Sequence, residues 1–408
     1  MIVEMHTAVG IFIFVYLGMI LGGFPGLAMD RTGVALLGAL VLIVTGEVAP
    51  DQAWDAVDVP TIGLLFGLMV VSAQFRLGGF YAFAARRVAA VSFSPPMLLA
   101  VLLAVVAGLS AVLTNDIICL AMTPLLVEGC ARRNLNPVPL LLGLACAANI
   151  GSAATLIGNP QNMLIGQALS LSFASYLVDA VPAVLLSLFV TWAVLALLYR
   201  NRWRLVSPPV SADSPPLNVW QTTKGTIVLT LLIASFLFLP VPREVIALGA
   251  AGLLLVSRKM HSREMLGVVD WHLLVLFIGL FVVNDAFRAC GALERVFETA
   301  QNSGVNLSQP AWLFVTTTVL SNLVSNVPAT MLLLPAATHP MSGAILALSS
   351  TFAGNLIIVG SIANIIVVEQ ARLLGVRISW AEHARAGVPV TMLTLIIAGA
   401  WLMLRMHL

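Results

Sequence analysis

The chain has 408 residues, of which 60% are hydrophobic and only 9% are charged, and its mean hydropathy is +1.02. Soluble domains carry about 25% charged residues, so a water-soluble globule of this composition could not cover its own surface with polar groups. The formal net charge of +2 gives no sign of a nucleic-acid partner. Composition therefore excludes a soluble protein and predicts a membrane protein.

Apolar runs of nearly bilayer length recur from one end of the chain to the other. Examples are "AVGIFIFVYLGMILGGF", "GTIVLTLLIASFLFLP" and "VPVTMLTLIIAGAWLML". Runs of this length are typical of transmembrane helices. The first run lacks the basic leader and the small-residue cleavage site of a signal peptide, so we interpret it as a mature helix. The chain is predicted to be an all-α, multi-pass membrane protein.

A helix-loop-helix segment near the start of the chain returns in the second half. The segment "RTGVALLGALVLIV" begins at Arg31, and "REVIALGAAGLLLV" begins at Arg243. Polar anchors in one order and one register indicate a duplicated transporter. Three pairs of residues share the same spacing along the chain, which we call the repeat offset: Arg31 with Arg243, Asp58 with Asp270, and Arg76 with Arg288.

The basic residues predict where the chain turns back inside the membrane. Clusters at Arg86–Arg87 and Arg132–Arg133 flank one apolar segment, and Lys and Arg favour the cytoplasmic side. The segment between them must therefore enter and return on the same side, with its tip at Asn115 and Asp116. By the repeat, the segment around Asn326 turns back from the opposite side.

The predicted architecture is two inverted repeats, with about 10 transmembrane helices, two re-entrant hairpins and broken helices. Five crossings in each half is an odd number, which inverts one half relative to the other. The predicted boundaries are residues 1–205 for the first repeat, 206–223 for a cytoplasmic linker rich in Pro and Ser, and 224–408 for the second repeat.

Four polar breaks interrupt the apolar sequence, two in each half. They read "LTNDI", "NIGSAATLIGNPQN", "LSNLVSNVPAT" and "AGNLIIVGSIAN". Such breaks are tolerated at membrane depth where protein or water satisfies the backbone, and their free amides and carbonyls can hold ions. Small residues also serve helix packing, and Pro also produces harmless kinks. The candidate substrate- and ion-binding residues are Thr114, Asn115, Asp116, Asn149, Ser152, Thr155, Asn159, Asn162, Asn322, Ser325, Asn326, Asn355, Ser361 and Asn364.

Asp116 is the only charged side chain between Met97 and Val127. It follows Thr114 and Asn115, so it could simply help to cap a hairpin helix. An acid at the bilayer centre costs about 2.5 to 3.5 kcal/mol on insertion scales, which a cap scarcely offsets. We therefore favour a role in binding a coupling ion or a proton.

Nothing in the sequence predicts catalysis, a metal centre or a cofactor. The four cysteines, Cys119, Cys130, Cys146 and Cys290, lie in apolar surroundings without a CxxC pair, as buried structural cysteines do. The six histidines have no metal-binding spacing, and no HExxH or GxSxG motif is present. We expect no enzyme, and no cofactor other than a coupling proton or sodium ion.

The breaks resemble the signature segments of the ion transporter superfamily. This group includes arsenite efflux permeases, sodium/proton antiporters, citrate-metal transporters and divalent anion/sodium symporters. By this resemblance, "TND" and "SNV" match the two hairpin tips, and "GNPQN" and "GSIAN" match the broken helices that complete two ion sites. The resemblance implies a scaffold domain and a moving transport domain, often in dimers.

The symporters of this superfamily carry Ser-Asn-Thr at both tips, where it binds sodium and substrate carboxylates. Here Asp116 and Val327 occupy the third tip positions, so the first tip looks more like the arsenite permease and antiporter branch. We expect a secondary transporter in the cell inner (plasma) membrane that exports arsenite, antimonite or another small inorganic anion or metalloid against a proton or sodium gradient. Alternatives are a sodium/proton antiporter and a sodium-coupled dicarboxylate or sulfate symporter. The other expected partners are the lipid bilayer and a second copy of the chain.

Overall fold

The computed structural model describes residues 2–24, 26–205, 215–257 and 259–407. Ten α-helices occur in the described residues of the first half. Their bounds are Ile2–Leu21 (α1), Arg31–Val44 (α2), Pro50–Asp55 (α3), Val59–Leu77 (α4), Phe80–Ala90 (α5), Pro95–Val112 (α6), Asn115–Arg132 (α7), Pro137–Ser152 (α8), Pro160–Ala168 (α9) and Phe173–Leu198 (α10).

Ten further helices follow in the part of the second half that the structure describes. Their bounds are Val219–Phe238 (α11), Arg243–Leu255 (α12), Ser262–Gly267 (α13), Trp271–Ala289 (α14), Ala292–Asn302 (α15), Pro310–Val324 (α16), Asn326–Leu333 (α17), Ser342–Ala353 (α18), Ile362–Leu373 (α19) and Trp380–His407 (α20). Single 3-10 turns occur at Leu334–Ala336 and Ile358–Gly360. Each helix of the second half thus corresponds to the helix ten places earlier.

The two halves use the same residue types to begin corresponding helices. The side chain of Asp58 accepts a hydrogen bond from the first turn of α4, and that of Asp270 does the same for α14. Gly79 precedes α5 at φ +71°, and Gly291 precedes α15 at φ +73°. This left-handed conformation favours glycine because glycine has no Cβ. The repeat detected in the sequence therefore produces the same local turns twice.

The most extensive helix pairings fall into two groups, and α7 in addition packs on α5, α8 and α19. In the first group, α2 packs on α14 and α12 packs on α4. Because α12 is the equivalent of α2 and α4 is the equivalent of α14, the same pairing occurs twice, each time between helices of different halves. Gly67 of α4 permits one close approach, because a Cβ there would lie 2.6 Å from the Ala247 carbonyl oxygen. Gly279 of α14 has the same relation to Ala35 of α2, with the Cβ 2.7 Å from the carbonyl carbon. The second group joins α6 with α8, α16 with α18, and α10 with α20.

The equivalent helices α10 and α20 run antiparallel to each other. At one end, the Tyr199 hydroxyl donates to the Glu382 carboxylate over 2.6 Å. At the other end, the Arg405 guanidinium donates to the Asp179 carboxylate over 2.7 Å. Equivalent helices of two inverted repeats that pack on each other are expected to be antiparallel, as α10 and α20 are. The orientation of the halves in a bilayer stays a prediction.

The helices agree with the all-α membrane class. Within the described part of the chain, six helices of 18 residues or more are apolar enough to cross a membrane: α4, α6, α10, α11, α14 and α20. Six shorter apolar helical segments accompany them. The chain is therefore a multi-pass, all-α membrane protein, and the count of ten crossings stays a prediction.

The last five residues of the predicted linker are helical. Residues 206–214 of the predicted linker lie outside the described residues. Residues 219–223 belong to α11, where the Asn218 side chain accepts a hydrogen bond from the Gln221 amide and caps the helix. The Asn at the end of the polar stretch thus starts the next helix instead of continuing a loop.

Candidate functional site

The segment α6–α7 forms a hairpin. Arg133, just after α7, donates hydrogen bonds to the carbonyl oxygens of Ala89 at 3.2 Å, Val91 at 2.8 Å and Phe93 at 3.2 Å, just before α6. The two ends of the hairpin therefore lie together. The turn lies at Leu113 and Thr114, which are buried. This agrees with the predicted point of return, and the depth of the tip in a bilayer stays a prediction.

The first tip is attached to α4 by a serine. The backbone N–H of Thr114 donates to the Ser72 hydroxyl oxygen at 3.1 Å, and the two hydroxyl groups lie 2.6 Å apart. Asn115 is 3% exposed, and its side-chain oxygen has no hydrogen-bond partner among the described residues. Asp116 is half-buried, and within the described ranges it makes no hydrogen bond or ion pair. The structure thus shows no cap made by the Asp116 carboxylate.

The second tip is a sharper turn. Ser325, between α16 and α17, has φ +79° and ψ 160°, a region that residues with a side chain rarely occupy. The Ser321 hydroxyl donates to the side-chain oxygen of Asn326 and also lies 2.9 Å from the Ser350 carbonyl oxygen. This strained turn places the Asn326 side chain beside Ser321 of α16, and Ser321 in turn contacts the Ser350 carbonyl of α18.

The two broken helices share the same backbone conformation and the same asparagine contacts. Asn159 begins α9 at φ −146° and ψ 143°, and Ser361 begins α19 at φ −145° and ψ 141°. The Asn162 amide donates to the carbonyls of Ser152 and Thr155, at 3.2 and 3.0 Å. At the equivalent position of the second half, Asn364 donates to the carbonyls of Gly354 and Ile357 at 2.8 and 3.1 Å. An asparagine therefore holds each unwound loop to the helix that follows it.

Each break touches the hairpin of its own half. The Thr155 hydroxyl donates to the Ala111 carbonyl in the last turn of α6. A Cβ on Gly158 would lie 2.6 Å from the Ser110 carbonyl oxygen, and one on Gly360 would lie 3.0 Å from the Asn322 side-chain oxygen. The backbone at these two glycines can approach the hairpins because no side chain intervenes.

Asn149 joins the two breaks at the centre. Its amide nitrogen donates to the side-chain oxygens of Asn355 at 2.9 Å and Asn364 at 3.2 Å, and its oxygen accepts from the Ser361 hydroxyl at 2.7 Å. Gln161 forms a second connection, because its amide lies 3.0 Å from the Thr351 hydroxyl. The α8 and α18 ends and their breaks are therefore one connected polar network.

Several acceptor oxygens around this network have no partner among the described residues. They include the side-chain oxygens of Ser110, Asn115, Asn162 and Asn322. Buried acceptors are normally satisfied by protein, water or an ion. Ser110 lies in the last turn of α6 and Asn322 in the last turn of α16, so each hairpin has an unpartnered buried oxygen near its tip. No group of three or more His, Cys, Asp or Glu side chains suited to a transition metal occurs in the residues that the structure covers.

Most of the residues predicted from the sequence lie in this network, and a few that belong to it were missed. Ser152 helps to orient Asn159, whose amide lies 3.2 Å from the Ser152 hydroxyl. Asn115 and Asp116 make no hydrogen bond to the breaks. The missed residues are Ser72, Ser110, Gln161, Ser321, Thr351, Tyr176 and His383. Only Ser110 and Ser321 had a usable signal, because they have the same spacing along the chain as Asn115 and Asn326.

The arrangement offers hydroxyl, amide and carbonyl groups and no Lys, Arg or His in the four breaks themselves. Oxygen ligands of this kind suit a small hard cation, and free amide donors suit a polar or weakly anionic solute. Groups of these kinds can bind and release a solute or an ion without forming covalent bonds.

The model of one known family matches most of the chain, residues 14–353, and its description is citrate transporter (CitMHS). The chain belongs to this family of transporters. The match agrees with the resemblance to the ion transporter superfamily that the four breaks indicated.

Individual relatives extend over nearly the whole chain. A 46 kDa membrane protein of Mycobacterium leprae is 29% identical over 406 residues, which are 92% of this chain and 94% of the relative. The silicon efflux transporter LSI3 of Oryza sativa subsp. japonica is 30% identical over 447 residues, covering 90% of this chain and 91% of the relative. The crystal structure of the YdaH transporter of Alcanivorax borkumensis has a similar fold, with a TM-score of 0.59 at 14% identity, covering 98% of this chain and 96% of that one.

Proposed function

We propose that this transporter exports a small inorganic hydroxide of the arsenite type, with arsenite or antimonite as the substrate, against a proton or sodium gradient. The observation that carries the proposal is the absence of any cationic side chain from the four breaks. A multivalent anion in a membrane site needs cationic partners, because burying an unpaired charge is costly. Arsenous acid is uncharged near neutral pH and can be bound by amides and hydroxyls alone.

One relative supports the same class of solute. LSI3 is named a silicon efflux transporter, and silicon in water near neutral pH is also an uncharged hydroxide. The alternatives are citrate or another carboxylate, which the family description favours, and sodium/proton exchange. A carboxylate substrate would need its charge balanced by a bound metal or sodium ion, since the breaks supply no Lys or Arg.

We assign the coupling-ion sites to the two equivalent junctions of hairpin and break. In the first half the ligands would be Thr114, Asn115, Asn159 and Asn162, and in the second half Ser325, Asn326, Ser361 and Asn364. Buried oxygens without a partner at Ser110 and Asn322 support a cation at each junction. Asp116 would bind and release a proton as the first tip moves, because no hydrogen bond or ion pair in the described chain stabilises one charge state.

Transport into everted vesicles or proteoliposomes tests the proposal. Arsenite, antimonite, silicic acid, citrate with and without magnesium, sulfate and succinate would be compared under imposed proton and sodium gradients. We expect accumulation of the uncharged hydroxides only. Accumulation of citrate or succinate without arsenite would overturn the proposed substrate and favour the carboxylate alternative.

Asp116→Asn tests the coupling. The variant keeps the size of the side chain and removes its titration, so we expect normal expression, downhill exchange and loss of accumulation driven by the proton gradient. The matched control is Asp285→Asn, because Asp285 is exposed in the last turns of α14. Wild-type accumulation by the Asp116 variant at every pH between 6 and 8 would remove Asp116 from the mechanism.

A further inference from the structure

One histidine lies inside the protein beside the second break. His383 is 2% exposed and is the only histidine that is buried among the described residues. Its Nε2 atom lies 3.2 Å from the carbonyl oxygen of Asn355, and its Nδ1 atom has no partner there. The side chain of Asn355 is bonded to Asn149. The imidazole thus contacts Asn355, and Asn355 in turn forms the hydrogen bond that joins the two breaks.

The geometry determines what the ring nitrogens do. A carbonyl oxygen can only accept, so Nε2 must carry a hydrogen. Nδ1 is then an unused acceptor in the neutral ring and an unused donor in the charged ring. Gly387, one turn further along α20, reinforces the contact, because a Cβ there would lie 2.5 Å from the Asn355 carbonyl oxygen. Helix α20 therefore packs directly on the second break. A positive charge on His383 would lie next to the backbone of that break.

The first half performs the same structural task with a tyrosine. Tyr176 and His383 have the same spacing along the chain as Pro182 and Pro389, the prolines inside α10 and α20. The Tyr176 hydroxyl donates to the Ala153 carbonyl at 2.8 Å. Ala153 in turn corresponds to Asn355, because the two have the same spacing as Asn162 and Asn364 in the two breaks. Holding a break to the adjacent helix therefore requires a hydrogen-bond donor, and it does not require a group that titrates near neutral pH.

The helices packed against α20 place no counter-charge at His383. These helices are α8, α10 and α18; α18 has no titratable residue, and α8 has only Cys146. On α10, Asp179 is paired with Arg405, which lies about 33 Å along α20 from His383 at a rise of about 1.5 Å per residue. Tyr176 is at that same distant end.

Charged residues on α20 itself also lie near the histidine in sequence. They are Glu382, which accepts a hydrogen bond from Tyr199, and Arg385. Glu382 is half-buried and is engaged by the tyrosine, so it does not neutralise a buried imidazolium. Trp380, one turn from His383, is 58% exposed, so water and protons can reach this end of the helix.

We propose that His383 is a positioning residue that binds a proton and thereby controls the second break. A proton on His383 puts a positive charge at the Asn355 carbonyl and opposes a cation held by Asn326, Ser361 and Asn364. Binding of the proton and of the cation is then mutually unfavourable, and the coupling is reciprocal. The inference rests on the proposed ion site, and it assigns the pH dependence of the second half to one side chain.

The repeat supplies the test, because Tyr is the residue that the first half uses. His383→Tyr and His383→Gln both keep a donor for the Asn355 carbonyl and remove the titration. Solute exchange between proteoliposomes and medium, without any gradient, would be measured from pH 4.5 to 8 for the wild type, both variants and His383→Phe. We expect the wild-type rate to change by about fivefold or more between the low-pH and high-pH ends of the series, since a proton on the imidazole places a positive charge at the Asn355 carbonyl.

The Tyr and Gln variants should exchange at a rate that varies less than about twofold with pH, and the Phe variant should be slow at every pH because the donor is lost. A wild-type pH profile in either donor variant would overturn the inference and leave the proposed function intact. Absence of exchange by the wild type would instead count against the proposed function. In that case the thermal midpoint of the protein in detergent, which needs no solute, decides. The difference between its values at pH 4.5 and pH 8 should shrink in His383→Gln, and an unchanged difference would refute the role of His383.

Discussion

Gly158→Ala is the most direct perturbation of the first break. A Cβ at this position would lie 2.4 Å from the Ser152 carbonyl oxygen and 2.6 Å from the Ser110 carbonyl oxygen. Both are backbone atoms of packed helices, α8 and α6, so neither can rotate away as the end of a side chain could. One of the helices or the break itself must move by roughly 1 Å to reach ordinary van der Waals contact.

The expected size of the effect follows from those distances. Overpacking in a well-packed interior costs about 1 to 3 kcal/mol, and two backbone clashes place Gly158→Ala near the upper value. A displacement of about 1 Å at the ion ligands should also reduce transport by about tenfold or more. At Gly360 the equivalent Cβ would meet the side-chain oxygen of Asn322 and the Gly354 carbonyl oxygen, both at 3.0 Å, so about 1 kcal/mol is expected there.

Gly108→Ala is the matched control, since a Cβ at Gly108 would meet no atom within 4 Å. Thermal unfolding in detergent and solute exchange in proteoliposomes would be measured for the three alanine variants. The expected order of destabilisation is Gly158, then Gly360, then Gly108, which should remain within about 0.5 kcal/mol of the wild type. If Gly158→Ala unfolds and transports like Gly108→Ala, the close approach of break and hairpin does not exist in the protein.

Three further variants test the network. Asn149→Ala removes three hydrogen bonds between the breaks, so it should lower the unfolding free energy by about 2 kcal/mol and abolish solute exchange. Normal exchange by this variant would show that the network has only a structural role. Ser325→Gly relieves the strained turn and should raise the unfolding free energy by about 1 kcal/mol, and a lower value would disprove the strain. Gln167→Ala and Glu244→Ala each break a 2.8 Å contact between α9 and α12, so their effects on exchange should not add; additive effects would contradict a direct pairing.

The sequence by itself determined the class and the general plan of this protein. A charged fraction of 9% leaves no alternative to burial in lipid, so membrane helices follow from composition alone. The repeat offset predicted corresponding helices, and the structure has them down to the glycines at φ +71° and +73° before α5 and α15. Capping and turn chemistry is local, and for that reason it can be recognised in one dimension.

The breaks were also visible in the sequence, because Gly, Pro and Asn within apolar runs are conspicuous. Their partners were not visible. Asn149 bonds to residues that lie in the other half of the chain, and no periodicity or spacing specifies which of several asparagines will meet. The same holds for Ser72, which reaches the first tip from a different helix.

Only the tertiary structure separated residues that look alike in the sequence. Asp116 and Asp179 are both single acids in apolar surroundings, yet Asp179 forms an ion pair with Arg405 from the other half, whereas Asp116 makes no hydrogen bond or ion pair among the described residues. His383 has no signal at all in the sequence, because its environment comes from the packing of α20 on the break between α18 and α19. Whether a polar side chain is satisfied or left to bind something else depends on atoms brought together by long-range packing, and the local sequence does not contain that information.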